Sequence, residues 1–302
     1  MQLARGAAGL TVATLAEAEA FAAAGCPSVF IAYPLWAKSQ SRPERIEALR
    51  SVTTLSVGVD SEAGALALAE SAPSVRVLIE VDSGQHRSGG PPARTRRLAE
   101  FCLSAGLDVA GAFTHPGHAY GGPDAVAAAV ADELAALTSA GDALADVLGA
   151  APELSGGSSP TALAELAAGR PLTEVRPGTY VFGDRQQMTL SGLAADDIAL
   201  AVASRVVSAP RPGEAVLDAG SKALTSDRPG WLDGHGLILE DPEATIVSLS
   251  EEHAVVRGSR LAVGDLVRVV PNHVCPVVNL TSSLLVVRDG AVVDRWPVLA
   301  RR

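Results

Sequence analysis

Lysine is nearly absent: only Lys38 and Lys222 occur, and arginine supplies the other 22 of 24 basic residues. Arginine replaces lysine easily on a surface but cannot form a Schiff base, so lysine-dependent chemistry has at most two candidates here. Cysteine is scarce too, and Cys26, Cys102 and Cys275 are too scattered for a disulfide framework. Although 48% of residues are hydrophobic, no run approaches the ~18 apolar residues that a membrane span needs. Basic charge is in deficit. A net charge of −10 argues against nucleic acid, whose phosphates are held by clustered Lys and Arg. The start, Met1-Gln2-Leu3-Ala4-Arg5-Gly6, has no basic region followed by an apolar stretch, so no signal peptide is expected. The expected location is cytoplasmic.

What is present is a chain of 302 residues, enough for about two domains. Up to residue 198, short β-rich runs alternate with alanine-rich helical stretches. The runs are Gly9–Thr14, Val29–Leu35, Leu55–Asp60, Arg76–Asp82, Asp108–His115, Glu153–Ser159 and Glu174–Phe182. Alternation at this spacing predicts parallel strands with crossover helices. Polar and Gly-rich residues follow many strand ends, which suits the rim of a (β/α)8-type barrel better than a single crevice. Seven strands are countable where a barrel has eight, and the chain opens on what reads as the tail of a helix. The first barrel strand is therefore expected to lie upstream. From residue 199 to 302, strand runs separated by turn signals such as Asp289-Gly290 predict an antiparallel β domain.

Five segments carry candidate chemistry. Ser155-Gly156-Gly157-Ser158 joins a strand to a helix, where glycines let backbone approach an anion and helix N–H groups face it. The alternative is a Ser-rich loop that only opens a helix. Arg87 follows the strand ending Glu80-Val81-Asp82 and either meets an anionic oxygen or pairs with that aspartate. His115-Pro116-Gly117-His118-Ala119-Tyr120 gathers groups suited to proton transfer or ring contacts. Tyr180, Asp184 and Gln187 follow the last barrel strand and are expected to close the same pocket. In the β domain, His273 and Cys275 would project together if their segment is a strand. An imidazole with a thiolate favours Zn²⁺ over Mg²⁺ or Ca²⁺; the alternative is a buried Cys beside a satisfied His.

These segments together resemble the D-serine dehydratase/D-threonine aldolase family. So do Asp218-Ala219-Gly220-Ser221-Lys222 and Gly178-Thr179-Tyr180-Val181-Phe182, and the motifs run in order from Gly9 onward. The resemblance implies an alanine-racemase-like fold, pyridoxal 5′-phosphate, a homodimer and zinc on His273 and Cys275. It implies cofactor contacts from Arg87, His115, Tyr120, Ser155, Gly156, Gly157, Ser158, Tyr180 and Gln187, with Arg87 and Tyr120 also catalytic. The aldolase branch typically has His-x-Asp where this chain has His273-Val274-Cys275. The cysteine therefore points to β-elimination from D-serine-like substrates, giving pyruvate and ammonia. Retro-aldol cleavage of D-threonine is the alternative. The family's Arg-Pro-His-x-Lys motif, with the lysine that bonds the cofactor, has no counterpart in the sequence. A longer natural chain, a decayed fragment and a non-catalytic cofactor-binding protein are the three expectations that follow.

Overall fold

The computed structural model describes residues 1–39, 41–167 and 172–301. They form two compact units: Met1–Ala119 with Asp124–Pro177, and Tyr120–Pro123 with Gly178–Arg302. Among the described residues, no helix is long and apolar enough to cross a membrane.

In the first unit, strands and helices alternate as β1 (Leu10–Val12), α1 (Leu15–Ala23), β2 (Ser28–Pro34), α2 (Arg42–Arg50), β3 (Thr54–Val59), α3 (Glu62–Ser71) and β4 (Arg76–Glu80). There follow α4 (Thr95–Ser104), β5 (Asp108–Phe113), α5 (Val126–Leu148), β6 (Glu153–Gly156), α6 (Ala162–Ala167) and β7 (Glu174–Val175). All seven strands are parallel and pair in sequence order. This is the strand order of a (β/α)8-type barrel, with β1 and β7 as the two edges. Helix α1 begins on a reciprocal cap, in which Thr14 accepts from Glu17 N–H and Glu17 accepts from Thr14 N–H. The core between sheet and helices is built from Val29, Ile31, Val57, Val77, Ile79, Leu137 and Leu144. It is rich in β-branched residues because parallel strands are covered on their outer face by helices.

The predicted last barrel strand is shorter than its apolar run suggests. Pairing stops at Val175, and Thr179–Val181 is a 3₁₀ turn. Pro177 lacks the N–H that a continuing ladder needs, and Gly178 follows it.

The second unit contains α7 (Arg185–Leu190), β8 (Val202–Ser208), β9 (Glu214–Leu217), α8 (Ser221–Leu224), β10 (Leu237–Ile238) and β11 (Thr245–Leu249). It continues through β12 (Ala254–Arg257), β13 (Leu266–Val270), α9 (Val274–Leu280), β14 (Ser283–Arg288) and β15 (Ala291–Pro297). Six strands form an antiparallel sheet in the order β10-β13-β8-β9-β12-β11 around Val206, Leu217, Ile238, Ile246, Val256 and Val267. Strands β14 and β15 make a separate hairpin. Its turn places Asp289 and Gly290 at positive φ, the conformation that an Asp-Gly pair favours in a two-residue hairpin.

Candidate active site

Two groups of candidate residues stand out, one in each unit. In the first, the ends of β4, β5 and β6 and the segment after β7 bring charge together. Arg176 is buried and donates Nε–H to Ser155 Oγ at 2.8 Å and Nη2–H to the Thr114 carbonyl. Its guanidinium lies 5.8 Å from the ring centre of Phe30 and 5.7 Å from that of Phe113, within cation–π range. Glu174, Glu133, Glu80 and Glu165 all act on its charge. The sequence reading missed Arg176; its signal was position, two residues beyond Glu174 where the last barrel strand ends.

His115 feels that cation. Burial first, then Arg176, Arg87 and His118, pull its pKa down to about 4. A neutral imidazole suits ring contact at neutral pH and cannot serve there as a proton donor of imidazolium type. Arg87 is exposed, and its charge reaches both His115 and Glu80. It does not pair with Asp82. Asp82 instead accepts the N–H groups of Gly84 and His86 at 2.9 and 3.0 Å and meets His86 Nδ1 at 2.6 Å. That aspartate shapes its own turn.

The Ser155–Ser158 loop is ordered from within. Gly157 N–H donates to Glu133 Oε1 at 2.6 Å, and Ser158 N–H to Thr161 Oγ1 at 2.9 Å. Ser155 Oγ donates to Glu174 Oε1 at 2.5 Å. Two backbone amides expected to face an anion are thus engaged by side chains. The donor chemistry still fits an anionic aromatic cofactor, because two guanidinium groups, Arg176 and Arg87, act on one neutral imidazole here.

The second group lies in the second unit. Tyr120 is largely buried, and its phenol meets the side chains of Thr179 and Gln187. Burial raises its pKa, and the charges of Cys275 and Asp184 add to the rise. Gln187 is buried and accepts from Ser191 Oγ at 2.8 Å. Tyr180, by contrast, is 53% exposed.

His273 and Cys275 come together by a route different from the predicted strand. His273 is extended (φ −139°, ψ 112°) and immediately precedes α9, in which Cys275 is the second residue. Pro276 explains the difference. It cannot donate to a ladder, yet its fixed φ is well placed in the first turn of a helix. The two side chains hydrogen-bond. Asp227 Oδ2 lies 2.7 Å from His273 Nδ1. Although burial disfavours the imidazolium, Cys275 and Asp227 outweigh it and push the His273 pKa up to about 9.

The loop around the pair is braced. Asp184 Oδ1 accepts Gln187 N–H at 2.9 Å and Oδ2 accepts Val274 N–H at 3.0 Å, so one buried carboxylate caps both α7 and α9. Asn272 Nδ2 donates to the carbonyls of Asp227 and Gly234, each at 3.0 Å. Among the described residues, no three His, Cys, Asp or Glu side chains form a ready metal cluster. The two donors nevertheless fit zinc: one nitrogen, one sulfur, and a carboxylate behind the imidazole, as metal-bound histidines commonly have. Asp227 lies 46 residues away from His273 in sequence, and no local signal links the two.

Comparison with known proteins agrees with this fold. The profile of the alanine racemase N-terminal domain matches residues 1–186. The chain belongs to that family. The remainder of this alanine racemase-like chain carries a match to a serine dehydratase domain over residues 199–287. D-threo-3-hydroxyaspartate dehydratase of Delftia sp. (strain HT23) is 32% identical, covering 91% of this chain and 79% of its own. Its solved structure matches with a TM-score of 0.84 over 99% of this chain and 86% of that one. D-threonine aldolase of Arthrobacter sp is 31% identical, over 99% of this chain and 81% of its own. D-threonine aldolase from Filomicrobium marinum is 26% identical, with a TM-score of 0.86 over 99% of this chain and 83% of that one. The Delftia enzyme has also been solved as a cysteine-to-alanine variant in the metal-free form and as a histidine-to-alanine variant, the two positions being two residues apart.

Proposed function

We propose that this alanine racemase-like protein is a pyridoxal phosphate- and zinc-dependent lyase acting on D-hydroxy amino acids, with D-serine dehydratase-like β-elimination as its reaction. One observation carries the reading: His273 and Cys275 meet, with Asp227 behind the imidazole and Tyr120 near the thiol. The same residue types, at the same spacing, are the ones substituted in the Delftia dehydratase variants. In this reading residues 1–198 form the cofactor-binding domain and residues 199–302 the β domain bearing the metal pair. The enzyme works as a cytoplasmic homodimer.

When bound, pyridoxal phosphate supplies an electron sink for charge at the α-carbon and zinc supplies a Lewis acid for a poorly leaving hydroxyl. The protein's own part is positioning and charge. Arg176 and Arg87 attract the anionic groups of cofactor and substrate, and His115 offers a neutral ring. His273 and Cys275 would hold the metal, and Asp227, bonded to the imidazole at Nδ1, would steady the ring for it. Tyr120 would keep its proton at neutral pH as any phenol does, and burial holds it there more firmly, so its phenol can donate to an oxygen of the substrate.

The test is a product assay on the full natural polypeptide with zinc and pyridoxal phosphate. D-Serine or D-threo-3-hydroxyaspartate is expected to give a keto acid and ammonia. Glycine and an aldehyde from D-threonine as the faster reaction would establish the aldolase reading, which the Arthrobacter relative supports. A non-catalytic, cofactor-binding reading has its own observation. Lys38 pairs with Glu70 at 2.5 Å and Lys222 with Glu251 and Glu252 at 2.9 Å, all on exposed side chains. Binding of the cofactor without turnover of any of the three substrates would favour it.

A further inference from the structure

Glu133 on α5 is fully buried, and Glu165 on α6 is 3% exposed. Gly157 N–H takes one oxygen of Glu133. Oε2 of Glu133 and both carboxyl oxygens of Glu165 then lie inside the protein with no donor among the described residues. The lack of side chains on Gly156 and Gly157 makes room for them. A Cβ on Gly156 would stand 2.6 Å from Glu133 Oε1, and one on Gly157 3.1 Å from Glu165 Oε2. The two carboxyl groups therefore press on two adjacent glycines, Glu133 on Gly156 and Glu165 on Gly157.

Two bare carboxylates enclosed together repel each other and lack the hydrogen-bond donors that buried charge requires. The cation acting on Glu133 is Arg176, and that guanidinium also answers Glu80 and Glu174. One positive charge does not neutralise four carboxyls. A proton on one member of the pair supplies the missing donor and removes one of the charges.

We infer that Glu133 and Glu165 share a single proton, and that this acid–carboxylate pair fixes the Ser155–Ser158 loop and sets the alkaline limit of anion binding beside it. The binding half rests on the reading of this end of the sheet as the cofactor site. Burial, reinforced by Glu165, pushes Glu133 from an ordinary 4.5 up to about 9. The folded protein then keeps a proton that the unfolded chain releases. This contribution to stability is whole below pH 4.5 and declines as pH rises towards about 9. Past that point the pair carries two negative charges next to a site meant for an anion.

Two measurements test this. Infrared difference spectra are taken of the wild type against Glu133→Gln, whose amide keeps the Gly157 contact and offers a permanent donor to Glu165. Calorimetric titration with pyridoxamine 5′-phosphate, which binds without a lysine linkage, is run on both proteins between about pH 7 and pH 10. At neutral pH the wild type is expected to show a protonated-carboxyl band that Glu133→Gln lacks. Wild-type affinity is expected to fall at least about tenfold across the range, while that of the variant changes less than about twofold. Glu165→Gln is the second variant, should the first not fold. A spectrum with no band lost in either variant, or a wild-type affinity as flat in pH as the variant's, overturns the inference. No binding by either protein at any pH removes the cofactor site and the binding half with it; the infrared band then decides the shared proton alone.

Discussion

Replacing Arg176 with methionine is expected to lower the unfolding free energy by about 3–5 kcal/mol, the usual cost of removing one partner from a buried charge cluster. Methionine fills similar space, so the effect isolates charge and hydrogen bonding from cavity formation. Four carboxyl groups lose their shared cation, Ser155 and Thr114 lose a donor, and the rings of Phe30 and Phe113 lose the guanidinium against them. The measurement is urea unfolding, in which the midpoint should drop by about 1 M or more. Arg176→Lys should recover only part of the loss, because an ammonium cannot reproduce the planar fork or its stacking. A midpoint unchanged in Arg176→Met would mean that the surrounding carboxyls are protonated and need no cation.

The second large effect concerns zinc. Cys275→Ala is expected to weaken Zn²⁺ binding by more than ~100-fold, since losing even an outer-shell partner commonly costs 10–100-fold. Asp227→Asn should fall within that smaller range. It keeps the size and a hydrogen bond to His273 Nδ1 while removing the negative charge that makes the imidazole a better donor. Competition against a chromophoric chelator measures both. Zinc binding should also release a proton near neutral pH, because His273 holds one up to about 9 and must lose it to coordinate. Equal affinities in wild type and Cys275→Ala would remove the thiolate from the site.

Much of this architecture was legible in the sequence. Period and spacing showed seven parallel strands followed by an antiparallel sheet, and Asp289-Gly290 marked its hairpin. Local signals of that kind are written in consecutive residues. What was not legible depends on contacts between distant ones. Arg176 is an ordinary residue after a short strand until burial surrounds it with four glutamates. Asp227 becomes a partner of His273 only when the fold closes a 46-residue gap. Glycines in Ser155–Ser158 suggested amides open to an anion, and the structure instead shows Glu133 and Thr161 taking two of them. His273 and Cys275 do meet, but not through the local geometry expected of them. Alternation along a strand would bring them together, but Pro276 starts a helix, and the turn into that helix brings them together instead.

X-ray absorption at the zinc edge of the metal-loaded protein tests the central claim most directly. The proposed metal site predicts a first shell containing one sulfur near ~2.3 Å and one imidazole nitrogen near ~2.0–2.1 Å, with the sulfur scattering lost in Cys275→Ala. A shell of oxygen and nitrogen only, the same in wild type and variant, would contradict it.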